Sequence, residues 1–159
     1  MNDKKNIIFI CTGNICRSPM AEYLMKSHLP SASTWQVSSA GLGAFDGAPP
    51  SEYGVKVMKE FGIDIRRHKS RRFDENMAKS SDLIVTMTRN QAEEIRSRHP
   101  FAAENVYVLK SFSPLRNHQD DDDLIDPIGM SEDVYRAVRD QIDVALSGLL
   151  SFVEAIEQK

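Results

Sequence analysis

Residues Cys11-Thr12-Gly13-Asn14-Ile15-Cys16-Arg17-Ser18 decide how this chain is read. The apolar run Ile7-Ile8-Phe9-Ile10 precedes them, and Pro19-Met20-Ala21-Glu22-Tyr23-Leu24-Met25, helical in character, follows. A strand, a tight loop and a helix N-terminus in that order build an anion pocket. The loop N–H groups converge on one point, and the helix end adds roughly half a positive charge. Gly13 and Asn14 supply the unusual backbone angles such a loop needs. Pro19 suits a first helical turn, where its missing N–H costs nothing. Arg17 offers a planar fork for two phosphate oxygens. Cys11 separates this loop from a passive cradle, because a thiol in so positive a field is expected to stand as a thiolate nucleophile beneath a bound phosphate. The phosphate-binding loop is thus read as Thr12, Gly13, Asn14, Ile15, Cys16 and Arg17. Neither a Gly-Lys-Ser/Thr ending nor a dinucleotide glycine spacing is present. A cysteine after an apolar strand is often just a small buried hydrophobe, but that reading leaves Arg17 and Ser18-Pro19 unexplained.

Outward from the loop, strand-like runs fall at Ile7–Ile10, Trp35–Ser38, Leu83–Thr86 and Val106–Leu109. Helical patterns fall at Pro19–His28, Ser51–Phe61, Phe73–Lys79, Arg89–Arg98 and Glu132–Glu157. This alternation predicts an α/β three-layer sandwich: a central four-stranded parallel sheet, helices on both faces, and the phosphate loop after the first strand. Such sheets bind ligands beyond the carboxyl ends of their strands, where Cys11 falls. In the last helix, Val134, Val138, Ile142, Ala145, Leu149 and Ile156 form one stripe, which reads as core packing.

At 159 residues and 41% hydrophobic content the chain is expected to be a single domain, residues 1–159, with a core that needs no staples. A net charge of −3 argues against general nucleic-acid binding. Cys11 and Cys16, close together in one loop, make no disulfide framework. A reactive thiol suits a reducing compartment, and the apolar run near the N-terminus is too short for a signal or membrane segment, so a cytoplasmic location without membrane contact is expected. His28, His68, His99 and His118 show no metal-ligand spacing, and neither a metal nor another cofactor is expected.

On Cys11 to Pro19 the chain resembles the low-molecular-weight protein-tyrosine phosphatases, whose signature is Cys-x-Gly-Asn-x-Cys-Arg-Ser-Pro. The resemblance extends to Ser39-Ala40-Gly41, to Asp82-Leu83-Ile84-Val85-Thr86-Met87 and to Asp126-Pro127. It implies that Cys11 is the nucleophile, that Arg17 holds the phosphate, and that Asp126 is the general acid. Pro127 restricts the Asp126 backbone to extended angles, which helps aim the carboxyl, although Asp-Pro is also a common turn dipeptide. The run Asp120–Asp123 reads first as a solvated acidic loop; alternatively, its charge favours the protonated acid at Asp126.

Ser18 has two readings, a helix cap or, as the resemblance implies, a hydroxyl supporting the Cys11 sulfur. Asn14 is expected to hold the loop backbone in shape, and the resemblance implies a bond to it from Ser39. Cys16 reads either as a buried inert thiol or, as in relatives, as a redox partner that protects Cys11 from over-oxidation. Ile15, Phe45 and Ile128 bear on the substrate pocket. In the resembled family the residue at Ile15 faces the leaving group, where phosphoarginine-directed members carry threonine; an apolar isoleucine favours an aryl ester. Phe45 falls where relatives place an aromatic wall, with a core phenylalanine as the alternative. Ile128 departs from the aromatic residue usual after Asp-Pro, and the Asp126–Gly129 context looks closer to the phosphoarginine branch. The basic cluster Arg66-Arg67-His68-Lys69-Ser70-Arg71-Arg72 reads as solvated surface or as a dock for an acidic partner.

The expected activity is a cysteine-dependent hydrolysis of phosphotyrosine in proteins, with phosphoarginine as the alternative. Phosphorylated proteins, with a tyrosine kinase upstream, are the expected partners, and the assembly is expected to be a monomer or weak dimer. An arsenate reductase on the same fold would need further resolving cysteines, and none follows residue 16. A phosphocysteine carrier module would have no use for an acid such as Asp126.

Overall fold

The computed structural model describes residues 4–116 and 121–158. His118 and Asp120 therefore lie outside the described residues. The elements run β1 (Lys5–Cys11), α1 (Arg17–His28), β2 (Trp35–Gly41), α2 (Glu52–Lys59), α3 (Glu75–Ser80), β3 (Leu83–Thr86), α4 (Arg89–Arg98), β4 (Val106–Val108) and α5 (Glu132–Glu157), with short 3₁₀ turns at Pro100–Asn105 and Leu109–Phe112. The strands pair in parallel in the order β2-β1-β3-β4.

The period-2 geometry of β1 divides the core between the two faces of the sheet. Ile7, Phe9 and Cys11 join α1, α2 and α5 residues on one side. Ile8 and Ile10 join Ala78 of α3 and Ala92 and Ile95 of α4 on the other. This is the three-layer arrangement that the alternating strands and helices predict. Val138, Ile142, Ala145 and Leu149 of α5 are fully buried, each large side chain contributing about 1.5–3 kcal/mol. β1 connects to β2 on one flank, and the chain then crosses to β3 on the other. Cys11 closes β1 at that reversal, beside Gly41 of β2. An open crevice at the carboxyl end of the sheet follows from the topology.

Several boundaries differ from the sequence reading. α1 starts at Arg17, with Cys16 at its N-cap position, so Pro19 stands third in the helix and still within the first turn, where N–H groups lack helical partners. α3 starts two residues later than expected. Phe73 instead donates its backbone N–H to Gly41 and buries its ring, and Asp74 caps the helix by accepting from Met77 N.

α5 packs closely against the Leu109–Phe112 turn because Gly148 has no side chain; a Cβ there would run into the Phe112 backbone carbonyl. Gly148→Ala is expected to lower stability by about 1–3 kcal/mol through overpacking, measurable as a lower midpoint in urea with an unchanged slope.

Candidate active site

The loop after β1 wraps its own backbone around the Cys11 sulfur. Asn14 adopts φ 57°, the one positive φ among described non-glycine residues, and its N–H donates to Cys11 Sγ at 3.2 Å. A left-handed asparagine is tolerated where most residues are strained. Asn14 is completely buried, and its amide orientation is fixed because Oδ1 accepts from Arg71 N at 3.0 Å. Nδ2 must then donate, and it does so twice, to Ser18 Oγ at 2.8 Å and to Ser39 Oγ at 2.9 Å. The Ser39 hydroxyl in turn donates to Glu22 Oε1 at 2.6 Å. With Ser18 accepting from Asn14, its hydroxyl proton is free for Cys11 Sγ, 2.9 Å away. The polarity therefore diverges from the Asn14 amide, ending on one side at the buried Glu22 carboxylate and on the other at the sulfur, where two donors meet in an arrangement that stabilises a thiolate.

This geometry decides between the two readings of Ser18. It lies inside α1, and no side chain caps that helix, so the cap reading fails and the hydroxyl faces the sulfur. Ser39 meets Asn14 as the resemblance implies.

Arg17 is 3% exposed and donates Nη1 to the Leu124 carbonyl at 2.8 Å, with Nη2 3.6 Å from Asp126 Oδ2. Its Nε is buried without a partner among the described residues. A buried cationic donor left unpaired is costly, and a phosphate oxygen would satisfy it. Asp126 stands on an exposed loop, its carboxylate accepting from Ile128 N at 3.1 Å. Gly129, at φ 74°, makes the turn that brings Ile128 back.

The acidic run upstream is not simply solvated. Asp123 accepts from Arg89 N at 2.7 Å, Asp121 pairs with Arg89, and Asp122 pairs with Arg116, which holds the Asp122 carboxyl below the usual range. Arg89 thereby fastens the Asp126 loop to the start of α4 through Asp121 and Asp123, while Arg116, beyond the Leu109–Phe112 turn, holds Asp122.

Cys11, Thr12, Gly13, Ile15, Cys16, Arg17, Asp126 and Ile128 line a cavity of about 210 Å³. Phe45 does not join them; its ring is 86% exposed, which rules out the core alternative, and it stands on the loop after β2. Larger hollows lie elsewhere, but the small one holds the convergent polar groups. Among the described residues no cluster of histidine, cysteine and acidic side chains has the makings of a metal site, and no helix is long and apolar enough to cross a membrane.

Sequence reasoning missed the supports behind the loop. His68, in the basic cluster, is buried and donates Nε2 to the Asn14 carbonyl at 2.7 Å. Arg71 holds the Asn14 amide and also donates to Ser39 O at 2.9 Å. Glu22 follows Ser18 by one helical turn, a spacing that puts both on one face and was the available signal. Gln91 accepts from Met87 N and Thr88 N, which orients its Nε2 toward Thr12 Oγ1 at 3.2 Å. Gly41 lies against the loop so closely that a Cβ would sit 2.5 Å from Thr12 O and 2.9 Å from Asn14 N.

Both cysteines are free. Burial pushes the Cys16 thiol up, opposed by a hydrogen bond from the Tyr135 hydroxyl at 3.3 Å; burial and Cys16 in turn push Tyr135 up to about 12. Alkylation of Cys16 in a Cys11→Ser protein should accordingly need a higher pH than that of an ordinary free thiol. Tyr135→Phe removes a bond that favours the thiolate, so the onset should move to still higher pH, as read by iodoacetamide labelling and mass spectrometry.

A family model described as low molecular weight phosphotyrosine protein phosphatase matches residues 6–159. The chain is 43% identical over 105 residues to a probable low molecular weight protein-tyrosine-phosphatase, EpsP, of Ralstonia nicotianae, covering 66% of this chain and 70% of that one. It is 38% identical over 144 residues to arsenate reductase 2 of Staphylococcus epidermidis, covering 91% and 95% of the two chains. The solved structure of the YwlE arginine phosphatase from Geobacillus stearothermophilus superposes with a TM-score of 0.85 at 32% identity, covering 97% of this chain and 96% of that one.

Proposed function

Because the chain belongs to the low molecular weight phosphotyrosine protein phosphatase family it is a phosphatase, and we propose that it hydrolyses phosphotyrosine in proteins through a phosphorylated Cys11. In the first step the Cys11 thiolate attacks phosphorus as the bond to the phenol oxygen breaks. Asp126, entering as the acid, gives its proton to that oxygen, and the phenol leaves. In the second step Asp126, now a carboxylate, takes a proton from water, whose oxygen attacks phosphorus. The phosphorus–sulfur bond breaks and Cys11 leaves as a thiolate received by Ser18 and Asn14. Arg17 and the loop N–H groups hold the phosphoryl oxygens throughout.

The observation that carries the tyrosine reading is the pocket wall. Ile15 and Ile128 supply its apolar side chains, and Asp126 is the one carboxylate lining it. An aryl ring is at home between isoleucines, whereas a guanidinium there would set most of its donors against apolar side chains, with Asp126 as the one carboxylate to meet them. A second reading, phosphoarginine, is favoured by the position of Phe45 outside the cavity lining and by Ile128 in place of an aromatic residue. Against arsenate reduction stands the cysteine count, Cys11 and Cys16 alone.

Matched phosphotyrosine and phosphoarginine peptides under reductant decide the matter. The expected outcome is a preference for phosphotyrosine of about tenfold or more in kcat/KM, with Cys11→Ser inactive. A reversed preference overturns the tyrosine reading, and turnover of neither with a trapped phosphocysteine overturns hydrolysis altogether.

The acid role of Asp126 is separable from binding. Asp126→Asn should lower kcat about 10²- to 10⁴-fold on phenyl phosphate but far less on p-nitrophenyl phosphate, whose leaving oxygen needs little protonation. Equal losses on both esters would remove Asp126 from the proton-transfer step.

A further inference from the structure

Although the chain has a net charge of −3, residues 66–72 gather its densest run of cations. Some of these are spent. Arg66 is held by Asp64, Nη2 to Oδ2 at 2.8 Å, and Arg71 reaches inward to Ser39 O. Arg67, Lys69 and Arg72 are exposed, and none makes an ion pair with any described residue. The strap that carries them is fixed. His68 is bonded to Asn14, and Gly41 N donates to Arg71 O at 3.0 Å. Gly47 N donates to Ser70 O and Ser70 N to Ala48 O, both at 2.8 Å, and the Ser70 hydroxyl donates to the Phe45 carbonyl. Arg72 N donates to Asp46 Oδ1 at 2.9 Å.

These bonds set Lys69 and Arg72 directly beside the turn that presents the exposed Phe45 ring. The same loop reaches the cavity wall, since Gly43 N donates to Thr12 O at 2.9 Å and Thr12 lines the cavity. The order along the surface is therefore cavity, apolar ring, then Lys69 and Arg72, with Arg67 two residues further along the same strap. On the Asp126 loop, by contrast, the acidic side chains carry the surface charge, and their nearby cations, Arg89 and Arg116, are engaged by Asp121, Asp122 and Asp123. A negatively charged segment running out of the cavity is attracted along the strap and repelled along the acidic loop. Because the strap is already rigid, docking there orders long side chains but no backbone.

We propose that Arg67, Lys69 and Arg72 form a docking rim for acidic residues flanking the phosphorylated residue of the protein substrate, with Phe45 packing between rim and cavity. The proposal rests on the phosphatase reading but not on which phosphoresidue is cleaved. It differs from the loop chemistry in being exposed, electrostatic and dispensable for small esters.

The test uses one peptide set with acidic, neutral and basic flanks, each made as phosphotyrosine and as phosphoarginine, so that the flank effect is read on whichever form is hydrolysed. The expected result is a kcat/KM about fivefold higher for acidic than for neutral flanks, carried by KM and shrinking as salt rises from low to physiological. Arg67→Glu, Lys69→Glu and Arg72→Glu combined should invert that preference and leave p-nitrophenyl phosphate turnover unchanged, which also reports that the variant is folded. Fluorescence anisotropy of the same peptides on the Cys11→Ser protein reads the flank effect without turnover. Equal KM and equal affinity for acidic and neutral flanks would overturn the rim, whereas loss of turnover with flank-dependent binding retained would overturn the phosphatase reading alone.

Discussion

The direction of the hydrogen bonds around Asn14 is the constraint on which the rest of the site depends. One side-chain amide, turned by the Arg71 backbone N–H, donates to Ser18 and Ser39 and leaves the Ser18 proton for the Cys11 sulfur. Reversing that amide would aim an oxygen at two serine oxygens and break the line of donors. The cost would be an uncompensated buried polar group of about 1–3 kcal/mol at each lost partner. Burial makes the polarity decisive, since Asn14, Ser18 and Ser39 have almost no solvent with which to trade partners.

That network explains why elements distant in sequence converge on eight loop residues. β2 must end beside β1 to bring Ser39 to Asn14 and to let Gly41 lie against the loop. α1 must begin within the loop so that Ser18 and Glu22 share a face. The strap at 65–73 must cross Gly41 to deliver His68 and Arg71. Arg17 performs the same service on the other flank, tying the Asp126 loop through Leu124 O while keeping Nε unspent. The loop is thus held in shape by bonds from the chain's own side chains and backbone, which is the condition for electrostatic stabilisation without reorganisation.

Much of the fold was legible in the chain. Leu83–Thr86, Arg89–Arg98 and Glu132–Glu157 match their sequence-predicted bounds because periodicity, a Thr88 capping box and a Ser131 cap mark them locally. The starts of α1 and α3 were misplaced because tertiary bonds set them. The loop's curl pulls Arg17 and Ser18 into the helix, and Phe73 is claimed by Gly41 and the core. His68 looked like one more charge in a basic run, since nothing within seven neighbouring residues shows that alternate side chains turn inward there.

By itself the sequence determined the strand, loop and helix that carry Cys11 and Arg17, and the α/β layering, because those are written in contiguous residues with short-range physical rules: strand period, left-handed asparagine, helix start, cysteine and arginine in one curl. Only the tertiary structure decided which way the Asn14 amide points, that Ser18 serves the sulfur rather than the helix, and that Phe45 stands outside the cavity lining while Ile15 and Ile128 form part of its wall. Each of those depends on partners between four and about a hundred residues away. Hydrogen-bond direction and side-chain exposure are properties of neighbours in space, and no local pattern in the chain encodes them.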